Sequence, residues 1–284
     1  MQAELFAISA AVLFALGNVI MRIALNKGPS PFNSFLVFGS ATVLLWSIVL
    51  LKGYALPSMA ALVLFGLKGI IDPGIAASLI LVAFRRLGVA ITVPIISASP
   101  LVSTTLSVLF LGEKPTLFIV LGTIIIMAGV TLLVFKPGRV KIDMKCVLIA
   151  VAGTALLGLA AVITKLALNA SDKPISGLAV SFTVGIFFQV LVISALGKSG
   201  ELAKTWEKAR MFLLAGVFIA VAFIAYNLAF STGLVSIVFP LIGAQPLFVL
   251  LLSMLLLRKY EKVTRNIVLG TVMIVAGAAL LTVF

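Results

Sequence analysis

The chain is one apolar unit written twice. The stretch IMRIALN at residues 20–26 returns as ITKLALN at 163–169. VLGTIIIMAG at 120–129 returns as VLGTVMIVAG at 268–277, with seven of ten positions identical. Between these anchors, VPIISASPLVSTTLSVLFL at 93–111 aligns with FPLIGAQPLFVLLLSMLLL at 239–257, both prolines in register. The offsets of 143 to 148 residues make each copy about half of the 284-residue chain. A duplication on this scale governs the fold, because each copy is one version of the same structural unit.

Hydropathy decides what that unit is. The sequence is 63% hydrophobic and 10% charged, with a mean hydropathy of +1.33. The apolar residues come in unbroken blocks of about 20, the length a helix needs to cross a bilayer core of about 30 Å. A membrane β-barrel would instead alternate apolar and polar residues over about 10 positions. The reading is an all-α membrane protein with spans near 4–25, 33–51, 60–84, 90–111, 116–135, 145–168, 175–196, 210–231, 234–257 and 264–283. Breakers separate them, among them Gly28-Pro29-Ser30-Pro31, Lys136-Pro137-Gly138 and Asp172-Lys173-Pro174. Residues 1–138 and 139–284 form the two five-helix repeats. The N-terminal MQAELFAISA lacks a basic leader region, so the first span is read as retained.

Five is odd, so the second copy enters the membrane from the opposite side, giving an inverted-topology repeat. Lysine and arginine counts propose the orientation. Connections after odd-numbered spans carry 15 basic residues and those after even-numbered spans carry 3, Lys52, Lys114 and Lys173. Because basic loops stay cytoplasmic, both termini are expected outside, in a cell inner or plasma membrane. The net charge of +13 lies mainly in these loops, where anionic lipid headgroups rather than nucleic acid are the natural partners.

Two five-helix copies, a basic residue closing the first helix of each (Arg22, Lys165), and a recurring proline–glutamate–glycine–glycine order resemble the drug/metabolite transporter superfamily, in its ten-helix EamA-like branch. The order runs Pro100, Gly112-Glu113, Gly122, Gly129 in the first copy. In the second it runs Pro246, Glu261, Gly270, Gly277, with Arg258 and Lys259 inserted. The resemblance implies an exporter-type permease for small metabolites, monomeric or homodimeric, often acting on amino acids or hydrophobic compounds. Two departures stand out. Characterised ten-helix relatives are thought to keep both termini inside. The related four-helix multidrug exporters carry a glutamate eight residues before the first basic residue, where this chain has Phe14 and Leu157.

The residues least at home in a membrane are Lys68 and Asp72, inside the third span. Each charge near a helix centre costs about 2.5–3.5 kcal/mol on insertion scales. Their spacing of four puts both on one face. They form either a self-neutralised structural pair or a polar site on a central cavity, holding a zwitterion or a coupling proton. Aligned at an offset of 146, their counterparts are Leu214 and Phe218, and Asn227 matches Leu81. Asn18, Tyr226, Asn227 and Gln245 are further substrate-contact candidates. Pro73, Pro94, Pro100, Pro240 and Pro246 each release a backbone carbonyl and act as gating hinges or as static kinks. Gln189 is a candidate for bonding across helices or to substrate, and Ser97, Ser99, Ser103 and Thr104 of span four are read as packing residues with hydroxyls bonded back to their own helix. Glycines seven apart, Gly122/Gly129 and Gly270/Gly277, predict that spans five and ten pack together or form a dimer face.

The chain has no histidine and one cysteine, Cys146. That excludes a Ser/His or Cys/His nucleophile, an internal disulfide and a Cys/His metal cluster; no cofactor or metal is expected. The phosphate-binding pattern G-x-x-x-x-G-K does not occur. The inverted repeat therefore points to a secondary active transporter working by alternating access in a cavity between the repeats. The alternative is a lipid-carrier flippase or a sugar/organic-phosphate translocator of the same superfamily.

Overall fold

The structure is a computed structural model that describes residues 2–24, 31–87, 92, 95–134, 144–195, 206–256 and 265–283. Its regular elements among those residues are all helices. Span one is α1 (Gln2–Ala24) and span two is α2 (Pro31–Lys52). Span three is composite: α3 (Met59–Gly69), a π-helical turn (Ile70–Ile75) and α4 (Ala76–Leu87). Span four ends in α5 (Ser99–Leu111), and span five is α6 (Leu117–Val134). The second copy follows with α7 (Met144–Ala170), α8 (Pro174–Ala195) and α9 (Trp206–Thr232). Span nine is split into α10 (Val235–Gly243) and α11 (Gln245–Leu256), and α12 (Arg265–Val283) is span ten.

Seven of these stretches are long and apolar enough to cross a bilayer unaided, and spans four, five and ten supply shorter apolar helices. Their outward faces are Leu, Val and Phe. Leu51 is 86% exposed and Leu109 70% exposed, which suits lipid and not water.

The packing order is a closed circuit. Span one packs on eight, eight on two, two on seven, seven on three, three on six, six on four, four on nine, and nine on one. Every step passes from one copy to the other. Exchanging one with six, two with seven, three with eight and four with nine maps the circuit onto itself, the signature of a pseudo-two-fold axis. The copies thus share one core.

Spans five and ten stand beside the circuit and pair with each other, as their glycines predict. A methyl group on Gly122 would lie 2.8 Å from the Gly277 carbonyl oxygen, and one on Gly129 would lie 2.8 Å from that of Gly270. Only hydrogen fits at these crossings, so the two backbones approach directly.

The prolines mark breaks rather than smooth bends. Span four turns at Ser97 and Ala98, and Pro100 occupies the first turn of α5. Span nine turns at Ala244, and Pro246 holds the matching place in α11, while Pro240 lies within α10. Proline is tolerated in a first turn because its missing N–H would be unpaired there anyway. The two breaks meet: a methyl group on Gly243 would lie 3.5 Å from Pro100 Cγ. Pro94 lies outside the described residues.

Candidate functional site

Span three carries the largest departure from helical geometry. Pro73 lacks the N–H that would bond the Gly69 carbonyl, and the backbone responds with a π turn. Asp72 leaves helical dihedrals altogether (φ −146°, ψ 119°), and the Asp72–Pro73 peptide is cis.

Span seven holds this break in place. Gln189 Nε2 donates to the Pro73 carbonyl at 2.9 Å. The Ser181 hydroxyl donates to the Phe65 carbonyl one turn above the break. Gly69 lies directly on the Ser181 backbone, and a methyl group on Gly185 would come within 2.9 Å of the Gly69 carbonyl oxygen. The freed carbonyl is therefore covered by α8 rather than left to lipid.

The break aims Lys68 and Asp72 into the interior. Lys68 is 2% exposed, and its Nζ lies 3.6 Å from Asp72 Oδ2. That is an ion pair just outside hydrogen-bonding distance, and Nζ has no hydrogen-bond partner among the described residues. Instead the ammonium faces two aromatic rings, Phe223 at 5.0 Å and Phe182 at 5.5 Å from the centroids. Phe223 is the hub of the cluster. It packs edge-on against Phe14 at 4.8 Å and Phe182 at 5.0 Å, and tilted against Tyr226 at 5.6 Å. Tyr226 is itself buried, with the Asp72 carboxylate within its electrostatic reach. Asp72 remains 16% exposed and Phe223 half-buried, so this side of the cluster is not sealed.

Of the residues singled out in the sequence, Lys68, Asp72 and Tyr226 come together, on spans three and eight. Asn227 turns elsewhere: its Nδ2 donates to the Pro174 carbonyl at 2.8 Å, fastening α9 to the start of α8. Its Oδ1 is buried without a hydrogen-bond partner among the described residues. Asn18 is half-buried on α1, one turn beyond Phe14, and Gln245 is half-buried at the first position of α11. No hydrogen bond or ion pair among the described residues joins either to Lys68 or Asp72. In span four, Ser103 and Ser107 donate to their own helix, at the Pro100 and Thr104 carbonyls.

The packing corrects the pairing of the two copies across this span. Gly69 presses on the Ser181 carbonyl, and Gly216 presses in the same way on the Val37 carbonyl of span two. Phe65 and Phe212, both 1% exposed, also correspond. The offset is therefore 147, not 146. The counterparts of Lys68 and Asp72 are Ala215 and Ile219, both buried, whereas Leu214 faces outward at 48% exposure. Hydrophobic helices align almost equally well at neighbouring registers; the glycine contacts remove the ambiguity.

One arrangement was not foreseen. Gly112 ends α5 in the left-handed conformation (φ 66°) and so swings Glu113 across to the second copy. There Glu113 Oε1 accepts from Val235 N at 2.8 Å, and Oε2 accepts from Ser236 N at 3.0 Å. A carboxylate caps the helix carrying Pro240, where the helix dipole favours it. Nearby, Lys165 Nζ donates to the Phe230 carbonyl at 2.7 Å, with Glu113 and Asp172 in its field. Lys165 also lines a cavity of about 460 Å³ with Gln2, Glu4, Thr232 and Gly233. The Leu-Gly-Glu triplet was the visible signal; what the glutamate grips depends on a contact 122 residues away.

The comparison with protein families decides the class: the profile of the EamA-like transporter family matches twice, over residues 1–135 and 144–283. The chain belongs to the EamA-like transporter family. EamA-like proteins are transporters of the drug/metabolite superfamily, so this is a multi-pass membrane transporter of the two-repeat type. A solved structure described only as the crystal structure of a protein superimposes with a TM-score of 0.81. It covers 99% of this chain and 98% of its own at 17% identity, a likeness of fold alone. No curated protein matches the chain significantly.

Proposed function

We infer that the chain is a secondary active transporter, of exporter type, for a small organic metabolite carrying an amino or zwitterionic group. Its substrate would be handled at the Lys68–Asp72 site of span three by alternating access within the circuit of eight spans. The observation that carries this reading is a buried charged pair at a π break, present in one copy and replaced by Ala215 and Ile219 in the other. Packing alone does not require such a pair, since the second copy builds the same helix contacts without it. The orientation that goes with it, termini outside, rests on the loop charges.

Transport into proteoliposomes tests it. Lys68→Ala and Asp72→Asn, each purified and monodisperse, are expected to lose transport of any solute the wild type moves. Wild-type rates in both would remove the site from the mechanism. A reporter fused after Phe284 that reads cytoplasmic would reverse the orientation.

A further inference from the structure

The surroundings of Lys68 are those of a bound ligand rather than of a structural lysine. An ammonium group carries three donors, and a buried one ordinarily satisfies them with carbonyls or close carboxylates. Here Nζ satisfies none among the described residues: it has one carboxylate at 3.6 Å and two phenyl faces at 5.0 and 5.5 Å. One acid with several π faces is the arrangement that recognises organic ammonium ions. The elements that build it are independent of Lys68: Asp72 from the π turn, Phe182 from α8, Phe223 and Tyr226 from α9, and Phe14 from α1. The lysine enters on a flexible four-carbon stem, so it can leave without moving a helix. The pair is loose, and Asp72 retains 16% exposure on its open side.

We propose that Lys68 is a built-in stand-in for the substrate's own ammonium group. The site takes a primary organic amine, or the amino end of an amino acid bearing an apolar side chain. That group displaces Lys68 from Asp72 and from the Phe182 and Phe223 faces. When substrate leaves, the lysine returns and neutralises the aspartate, so the empty carrier never holds an unpaired buried carboxylate. This rests on the reading of span three as the substrate site and names the chemical class that site accepts.

The probes are 2-phenylethylamine and 3-phenylpropionate, matched in shape and opposite in charge, titrated by calorimetry against full-length protein in detergent. Removing the competing lysine in Lys68→Met or Lys68→Gln is expected to tighten amine binding about tenfold or more, the scale of one desolvated cation–π contact. Asp72→Asn is expected to abolish it. Lys68→Met should bind more tightly yet not turn over. In the wild type, which needs no substitution, the amine should raise the melting temperature in detergent, and the carboxylate should not. Amine binding that is lost or unchanged in both Lys68 variants overturns the proposal, as does an absence of that thermal shift. Carboxylate binding that disappears with Lys68 overturns it too, but leaves the span-three site standing as an anion site. Neither probe responding to any substitution brings down the site as well.

Discussion

Spans three and eight are the same helix solved twice. Both bury a phenylalanine, Phe65 or Phe212, and press a glycine, Gly69 or Gly216, against a carbonyl of a neighbouring helix. Span eight then runs on as α9 without interruption from Trp206 to Thr232. Span three stops at Gly69, opens into a π turn, and turns Asp72 out of helical geometry. The difference teaches that the break is not needed to fit the helix into the circuit. It is added on top of a contact that works without it, and it delivers an ion pair to the place where the other copy has Ala215 and Ile219. Energetically the addition runs uphill, since a buried ion pair is often no more stable than apolar residues of similar size.

The strongest test makes span three like span eight. In Lys68→Ala/Asp72→Ile, the double variant, transport is expected to vanish while the melting temperature in detergent equals or exceeds that of the wild type. A clear loss of stability in the double variant would mean the pair is structural. Asp72→Ile alone should behave in the opposite way. It strands a buried ammonium and is expected to lose about 3–5 kcal/mol, seen as a sharp fall in melting temperature.

The shared contact should be equally intolerant in both copies. Gly69→Ala and Gly216→Ala are each expected to cost about 1–3 kcal/mol by overpacking against carbonyl oxygens. Unequal losses would show that the register of 147 does not relate the two spans. Next comes the cap across the copies. Glu113→Ala removes two charge-assisted bonds from the start of α10, and about 1.5–3 kcal/mol is expected. Glu113→Gln, which keeps one acceptor, should lose less, as read by thermal unfolding. The smallest effect belongs to Gln189→Leu, which removes one bond to the Pro73 carbonyl, about 1 kcal/mol. Its transport rate should fall more than its stability does, because the bond positions the break and not the bundle.

Much of this was legible in the residues. Block hydropathy, the odd number of spans per copy and the repeated glycines foretold ten helices, inverted copies and the pairing of spans five and ten. Lys68 and Asp72 stood out because charge inside an apolar run is costly. Asn227 and Gln189 were legible only as polar groups. Which of them would bond to Pro174 and which to Pro73 depends on neighbours far away in sequence. The aromatic cluster was hidden for a related reason. Twenty phenylalanines in a membrane protein look alike, and only the packing picks out Phe182 and Phe223 around one ammonium, with Phe14 packed on Phe223.

The sequence by itself determined the membrane class, the duplication and the family, because each follows from local composition and order. The tertiary structure alone decided the alternating circuit, the register between spans three and eight, and the reach of Glu113 into the other copy. Those depend on which backbones approach closely enough to exclude a methyl group. Among helices that are apolar on nearly every face, hydropathy does not distinguish one neighbour from another.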